Sequence, residues 1–160
     1  MNAYQIKYDY YDGLGEEMDD FGITHLKLFC VYPNATEANN MIVGVNDNNP
    51  PGAWKDVQVC PEGKWLKTWM QRVTPSLGTE DDDALIDIVF FCSSDASGRS
   101  DVGGQKLTGT GSVRHPESSP VTCPFSTLPC GVRAKVQAYQ GSGDDSAVNH
   151  VEFACCFIDQ

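Results

Sequence analysis

The sequence predicts an all-β fold built on a threefold internal repeat, and three observations support this prediction. Three segments end in a similar way on a cysteine: DDFGITHLKLFC at Cys30, DDDALIDIVFFC at Cys92 and DDSAVNHVEFAC at Cys155. The spacing is nearly constant, at 62 residues from position 30 to 92 and 63 residues from 92 to 155. No segment repeats its apolar residues at helical spacing, and 15 glycines and 9 prolines interrupt the chain throughout.

Each repeat carries apolar residues at the same offsets before its cysteine. The last two of these positions in each copy are two residues apart, which is the period that places side chains on one face of a β-strand. The three sets of matching residues are Ile23, Leu85 and Val148; Leu26, Ile88 and Val151; and Leu28, Phe90 and Phe153. The pattern therefore predicts a core-facing strand that ends at the cysteine in each unit.

A second shared segment lies upstream of each of these strands and ends in a glycine, at Gly13, Gly78 and Gly141. A basic residue followed by an apolar one recurs five residues before the glycine, at Lys7-Tyr8, Arg72-Val73 and Lys135-Val136. Each unit thus reads as strand, turn and strand, which is an antiparallel hairpin. The longer connections hold only short strand candidates such as 41–45.

Length and charge bound the class of protein. With 160 residues, the chain is the size of one domain (1–160), and the repeat divides it into units of roughly 1–30, 31–92 and 93–156. Its net charge of −11 repels phosphate backbones, so nucleic acid is not an expected partner. No apolar run is long enough to span a membrane, and residues 1–13 do not resemble a signal peptide, so we expect a soluble chain without membrane insertion.

Seven cysteines indicate disulfide bonds and an oxidising, extracellular compartment. Cys60 precedes Cys92 by 32 residues and Cys123 precedes Cys155 by 32, which predicts one repeated bridge per unit. This leaves Cys130 for Cys156, with exchange of the last two pairings at the 155–156 end as the alternative. Cys30 is predicted to be a free thiol, or a link to a second chain if it is exposed, because its partner by the same spacing would fall just before residue 1.

Several of these segments resemble the vitelline membrane outer layer family. The resemblance rests on GAWKDVQVCPEG, LKTWMQRVTPSLG, DDDALIDIVFFCSS and GVRAKVQAYQGSGDDSAVNHVEFACC, and it covers roughly residues 50 to 156 and, more loosely, the first unit. It implies a secreted β-prism of three Greek-key sheets around a pseudo-threefold axis. Family members occur in egg coats and epithelial fluids, and activity on chitin-type oligosaccharides is associated with them without known catalytic residues. The family's tryptophan- and cysteine-bearing segment before Lys7 is absent here.

Clustered carboxylates are the first candidate site. Acidic pairs begin each repeat and could bind calcium or act as a glycosidase acid and base. We expect them instead to hydrogen-bond their own turns, because they follow the repeat rather than converge in one place. These structural turn residues are Asp19, Asp20, Asp81, Asp82, Asp144 and Asp145. The histidines are scattered, with His25 and His150 at the repeat offset of Asp87, which favours a solvent-facing position. No metal and no cofactor are therefore predicted.

Three tryptophans are the second candidate site, because aromatic faces flanked by polar groups stack on sugar rings. Trp54, Trp65 and Trp69 all lie in the second unit, and glycan contact would require them to be exposed. The alternative role for them is packing in the core and at sheet edges. In addition, the sequon at Asn34 predicts N-glycosylation.

Two functions remain open from the sequence. The first is a non-catalytic, secreted structural protein of an extracellular coat that contacts glycans weakly, as a monomer or as a Cys30-linked dimer. The second is a carbohydrate-active enzyme, lysozyme-like or sugar-transferring, that acts on chitin-type oligosaccharides. An enzyme would need two carboxylates about 5–9 Å apart beside an exposed tryptophan.

Overall fold

A computed structural model describes residues 1–9, 22–30, 39–44, 52–74, 84–94, 104–111, 116–137 and 147–157. These residues form eleven β-strands and no helix, which confirms the all-β prediction. Accordingly, no helix that could cross a membrane occurs in these ranges. The strands are β1 (Ala3–Asp9), β2 (Gly22–Cys30), β3 (Asn39–Gly44), β4 (Ala53–Trp54), β5 (Gln58–Val59), β6 (Trp65–Val73), β7 (Leu85–Ser93), β8 (Lys106–Thr108), β9 (Val121–Thr122), β10 (Thr127–Val136) and β11 (Val148–Phe157).

Three antiparallel hairpins form the framework: β1–β2, β6–β7 and β10–β11. Each hairpin belongs to a different sheet, which we name sheet A, sheet B and sheet C in that order. The second strand of each hairpin carries the repeated cysteine, at Cys30, Cys92 and Cys155. The cysteine-bearing strands therefore occupy equivalent places on three sheets, as the repeat predicts.

A β-bulge explains the recurring pair of a basic and an apolar residue. The register of each hairpin shifts between these two residues, at Lys7/Tyr8 in sheet A, Arg72/Val73 in sheet B and Lys135/Val136 in sheet C. A bulge adds one residue to one strand and increases the local twist. The motif thus marks the same irregularity in all three hairpins.

Outer strands extend two of the three hairpins. In sheet A, β3 pairs with β2, and β4 and β5 both pair with β1. In sheet B, β8 pairs with β7 and β9 pairs with β6. In sheet C, β10 and β11 pair only with each other among the described residues. The predicted short strand near Met41 is present as β3.

The sheets divide the chain differently from the sequence units. The strands of sheet A run from Ala3 to Val59, those of sheet B from Trp65 to Thr122 and those of sheet C from Thr127 to Phe157. Each sheet therefore begins with its hairpin, whereas the units at 1–30, 31–92 and 93–156 end with one. The difference arises because the residues after the hairpins of sheets A and B return to the same hairpin as its outer strands.

All three sheets contribute to one hydrophobic core. The repeat positions Leu26, Ile88 and Val151 are each at most 1% exposed and belong to the same cluster. Aromatic rings link the sheets, since the ring centroids of Tyr4 and Phe90 lie 4.8 Å apart and those of Phe90 and Phe153 lie 5.3 Å apart. Such pairs add roughly 0.5–1.5 kcal/mol beyond their burial.

Candidate functional site

The three tryptophans lie in two different sheets. Trp54 ends β4 and belongs to sheet A, although the sequence units group it with the other two. Trp65 and Trp69 lie on β6 in sheet B. Their closeness in sequence therefore does not produce a single aromatic cluster.

Trp54 is the accessible tryptophan, with 43% of its surface exposed. It is paired with Lys7 of β1, and Lys7 is paired on its other side with His25 of β2. The indole and imidazole centroids are 6.1 Å apart. We call Lys7, His25 and Trp54 the Trp54 surface; it combines an aromatic face with a cation and an imidazole on adjacent strands of sheet A.

Local hydrogen bonds hold β4 against β1. The Lys55 N–H donates to the Ile6 carbonyl oxygen at 2.9 Å, and Gln5 Nε2 donates to the Lys55 carbonyl oxygen at 2.8 Å. Gly52 approaches β1 so closely that a Cβ atom there would lie 2.6 Å from the backbone of Tyr8, and its φ is 94°. A glycine is therefore required two residues before Trp54, and the indole is placed by backbone contacts.

Trp69 packs in the core and has no free face for a sugar. It is 5% exposed, and its ring meets that of Phe153 edge to face at a centroid distance of 4.9 Å. This position corrects the interpretation of Trp69 as a ligand-binding residue. The physical reason is that the Trp69 side chain packs into the hydrophobic core that the three sheets share. Trp65 is half-buried at the start of the same strand, opposite Ser93.

Asp87 is buried, in contrast to the expectation that its repeat offset faces solvent. It is 1% exposed, and its Oδ1 atom accepts the backbone N–H groups of Ile88, Gly109 and Thr110 at 2.9, 3.1 and 2.9 Å. The turn after β8 therefore covers it. Burial raises the pKa of the Asp87 carboxyl, while the hydrogen bonds from Thr110 and Ile88 oppose that shift.

Two buried polar side chains of β6 join sheet B to sheet C. Lys67 is fully buried, and its Nζ atom donates to the carbonyl oxygens of Pro124 at 2.9 Å and Thr127 at 2.7 Å. Gln71 Nε2 donates to the Val151 carbonyl oxygen at 3.0 Å, and the Val151 N–H donates to Gln71 Oε1 at 3.0 Å. Sequence reasoning missed both roles. For Gln71, the sequence offers one signal: it lies two positions after Trp69, so on a strand both side chains face the same way, and a polar residue there needs a hydrogen-bond partner if that face is buried.

Glu117 binds two cations on sheet B. Its Oε1 atom lies 2.6 Å from both Arg72 Nη2 and Lys106 Nζ. The hydrogen bond from Lys106 holds the pKa of the Glu117 carboxyl below its usual range, and the charge of Arg72 adds to this effect. A comparable but exposed pair joins Arg133 and Glu152 on sheet C. Each of these carboxylates is thus engaged by a protein cation.

Three disulfide bonds are present: Cys60–Cys92, Cys123–Cys155 and Cys130–Cys156. The first two are the pairs that the repeat spacing predicts, the third is the pair that this assignment leaves, and the exchanged alternative is not seen. Cys30 is half-buried against the core and forms no disulfide within the described part of the chain. Cys60 and Cys92 are buried, whereas Cys130 and Cys156 lie exposed on sheet C.

Two groups of predicted residues lie outside the described residues. They are the acidic pairs at Asp19-Asp20, Asp81-Asp82 and Asp144-Asp145, and the sequon residue Asn34. Within the described ranges, no group of three or more His, Cys, Asp or Glu side chains is arranged to hold a metal ion.

Comparison with known proteins identifies the protein family. Residues 1–158 match the family described as Vitelline membrane outer layer protein I. A vitelline membrane outer layer protein 1 homolog of Mus musculus is 26% identical over 140 residues, covering 86% of this chain and 63% of the relative. Its Homo sapiens counterpart is 25% identical over 128 residues, covering 79% and 61%. The chain thus spans about three fifths of the length of these relatives. With a match over nearly its whole length, the chain belongs to the vitelline membrane outer layer protein I family.

Proposed function

We propose that this protein is a structural component of an extracellular coat and that it contacts glycans through the Trp54 surface. Its family is named after the outer layer of an egg coat. Three disulfide bonds in a chain of 160 residues are typical of proteins that work in an oxidising compartment outside the cell.

The observation that carries the glycan contact is the exposed indole of Trp54. An aromatic face binds a sugar ring by stacking, and neighbouring polar groups then orient the ring through its hydroxyl groups. Lys7 and His25 supply such groups on the adjacent strands. Because Gly52 and the backbone bonds of Lys55 hold the indole in place, little ordering of the protein would accompany binding.

A shallow surface of this kind predicts weak binding. A single stacked ring on an open face suggests a dissociation constant on the order of millimolar for one site. A coat that presents many copies of the protein would lower the effective dissociation constant through multivalent binding. The surface would therefore suit cross-contacts in an assembled layer better than capture of a free sugar.

The test is a titration of the protein with N-acetylglucosamine oligomers, in which binding is monitored by tryptophan fluorescence and by NMR of the backbone amides. Trp54→Ala should weaken binding by about tenfold or more, because the stacking face is lost. Trp65→Ala is the matched control and should bind as the unchanged protein does. Equal binding by Trp54→Ala would refute the assignment to this surface.

A turnover assay on the same oligomers separates this proposal from the enzyme alternative. We expect the oligomers to be recovered intact after prolonged incubation. Cleavage or transfer products that survive Trp54→Ala and disappear on replacement of a single carboxylate would refute the structural role.

A further inference from the structure

A shallow cleft lies on sheet C. Arg133, Ala134 and Lys135 of β10 and His150 and Glu152 of β11 line it, and its volume is about 240 Å³. The strand register places Arg133 opposite Glu152 and Lys135 opposite His150, with Ala134 between these two rows. Two cross-strand rows of charged and polar side chains therefore line it.

The charge of the cleft is opposite to that of the whole protein. It has two basic side chains, Arg133 and Lys135, one carboxylate and one imidazole, whereas the chain has a net charge of −11. Glu152 engages Arg133, whose side chain is 82% exposed. Among the described residues, neither Lys135 nor His150 has an ion-pair partner. Lys135 therefore has donor capacity for a ligand.

At the equivalent positions in the other two sheets, backbone from an outer strand or from the turn after one lies against the side chain, burying Asp87 and leaving His25 half-buried. In sheet B, the turn at Gly109 and Thr110 closes over Asp87. In sheet A, Gly44 of β3 lies on His25 so closely that a Cβ atom at Gly44 would be 2.6 Å from the imidazole ring. No described strand lies beside β11 in this way, and His150 is exposed. Among the described residues, the cleft is thus open where the equivalent positions of sheets A and B have backbone lying against them.

We propose that this cleft binds one anionic group, a carboxylate or a sulfate ester, carried by an acidic sugar. Such groups accept charge-assisted hydrogen bonds, which are about twice as strong as neutral ones, and Lys135 and Arg133 are placed to donate them. The volume is below the roughly 300–1,000 Å³ of sites for drug-sized ligands, so it suits one charged group and the ring beside it. This site is separate from the Trp54 surface and does not depend on it.

The net charge favours a single anionic group over a dense polyanion. A polymer with a charge on every unit would meet the acidic remainder of the surface, and the repulsion would offset the contacts in the cleft. An isolated acidic sugar on an otherwise neutral glycan avoids this repulsion. The cleft would therefore distinguish acidic from neutral sugars within an extracellular coat.

The test follows backbone amide NMR signals during titration with glucuronic acid, inorganic sulfate and N-acetylglucosamine, at about 20 mM and about 150 mM salt. Glucuronic acid should shift the signals of Lys135 and His150 and should bind more weakly at the higher salt. N-acetylglucosamine should leave these signals unchanged. Lys135→Gln should weaken glucuronic acid binding by about tenfold, since one charge-assisted contact is lost.

Matched controls make each outcome decisive. Lys64→Gln removes a lysine from the turn before β6 and should bind glucuronic acid normally, and so should Trp54→Ala. If inorganic sulfate binds as tightly as glucuronic acid does, the cleft is a general anion site and the assignment to an acidic sugar is overturned. Unchanged binding by Lys135→Gln, or tighter binding of a polysulfated polymer than of glucuronic acid at the higher salt, would overturn the proposal.

Discussion

Sheets B and C contain the same hairpin, but they differ in what lies beside it. In sheet B, β8 and β9 flank the hairpin, and every residue of β7 except Ile86 is buried. In sheet C, no described strand flanks β10 or β11, and five residues of β11 are exposed. The apolar offsets of the repeat are alike in both, so outer strands, rather than the hairpin itself, set how much of each sheet is shielded from water.

The backbone of the second strand shows the same contrast at one repeat position. The Ile88 carbonyl oxygen in sheet B accepts a hydrogen bond from the N–H of Gly109, which follows β8, at 3.3 Å. The equivalent Val151 in sheet C is bonded instead by the side-chain amide of Gln71. A carboxamide offers both N–H donors and a carbonyl acceptor, so it can bond the C=O and the N–H of one peptide residue together. Gln71 therefore supplies to the Val151 carbonyl oxygen the donor that Gly109 supplies to Ile88. It also supplies to the Val151 N–H the acceptor that Asp87 Oδ1 supplies to the Ile88 N–H.

The largest expected effect comes from the disulfide bonds of the two sheets. The Cys60–Cys92 and Cys130–Cys156 bridges span 32 and 26 residues, for which the chain-entropy model gives similar stabilisation, about 3.5 kcal/mol each. The buried pair also packs in the core. We therefore expect Cys60→Ala with Cys92→Ala to lower the free energy of unfolding by about 4–5 kcal/mol, and Cys130→Ala with Cys156→Ala by about 3–4 kcal/mol.

Urea unfolding of the two double variants measures this difference directly. Equal losses would mean that burial of the Cys60–Cys92 bridge adds nothing beyond the constraint on the unfolded chain. A second readout is the order of reduction by a mild thiol. The exposed Cys130–Cys156 bridge should open first, because a reductant can reach its sulfur atoms.

The next largest effect is the loss of stability when Gln71 is replaced, because the Val151 backbone groups on the edge of β11 then lose their hydrogen-bond partner. Gln71→Leu leaves the N–H and C=O of Val151 without the carboxamide, at a cost of about 2–4 kcal/mol for two buried groups. Gln58→Leu is the matched control, because the Gln58 side chain donates an exposed hydrogen bond to the Asp56 carbonyl oxygen rather than bonding a buried backbone group. Urea unfolding should show little change for the control, and hydrogen exchange should show loss of protection at the Val151 amide in Gln71→Leu alone.

These contrasts separate what the sequence predicts from what it does not. Period-two apolar residues and evenly spaced cysteines predict the hairpins, because both signals repeat in every copy. The roles of Lys67 and Gln71 do not repeat, since each side chain donates to a carbonyl oxygen of sheet C through a long-range contact that has no local pattern. The exposure of Trp54 and the burial of Trp69 likewise depend on which sheet each joins. Repeat analysis therefore recovers the framework and misses the residues that distinguish its copies.

The smallest expected effect is a change in how the free energy of unfolding depends on pH. It tests whether the buried carboxyl group of Asp87 in sheet B is shielded from water. Burial raises the pKa of Asp87, so the folded protein holds that proton more tightly than the unfolded chain does. The contribution of Asp87 to the free energy of unfolding should therefore fall as the pH rises from about 4, the ordinary pKa of an aspartate, through its raised value.

Asp87→Asn keeps an oxygen acceptor for the Gly109 and Thr110 amides but cannot ionise. Relative to Asp87→Asn, the unchanged protein should thus lose stability with rising pH, and the contribution of Glu117, common to both proteins, cancels in the comparison. Asp87→Leu removes the acceptor and cannot ionise either, so it should be about 1–3 kcal/mol less stable than Asp87→Asn at every pH. Urea unfolding of the three proteins between pH 4 and 8 checks both statements; parallel curves for the unchanged protein and Asp87→Asn would show that the turn after β8 does not shield the carboxylate from water.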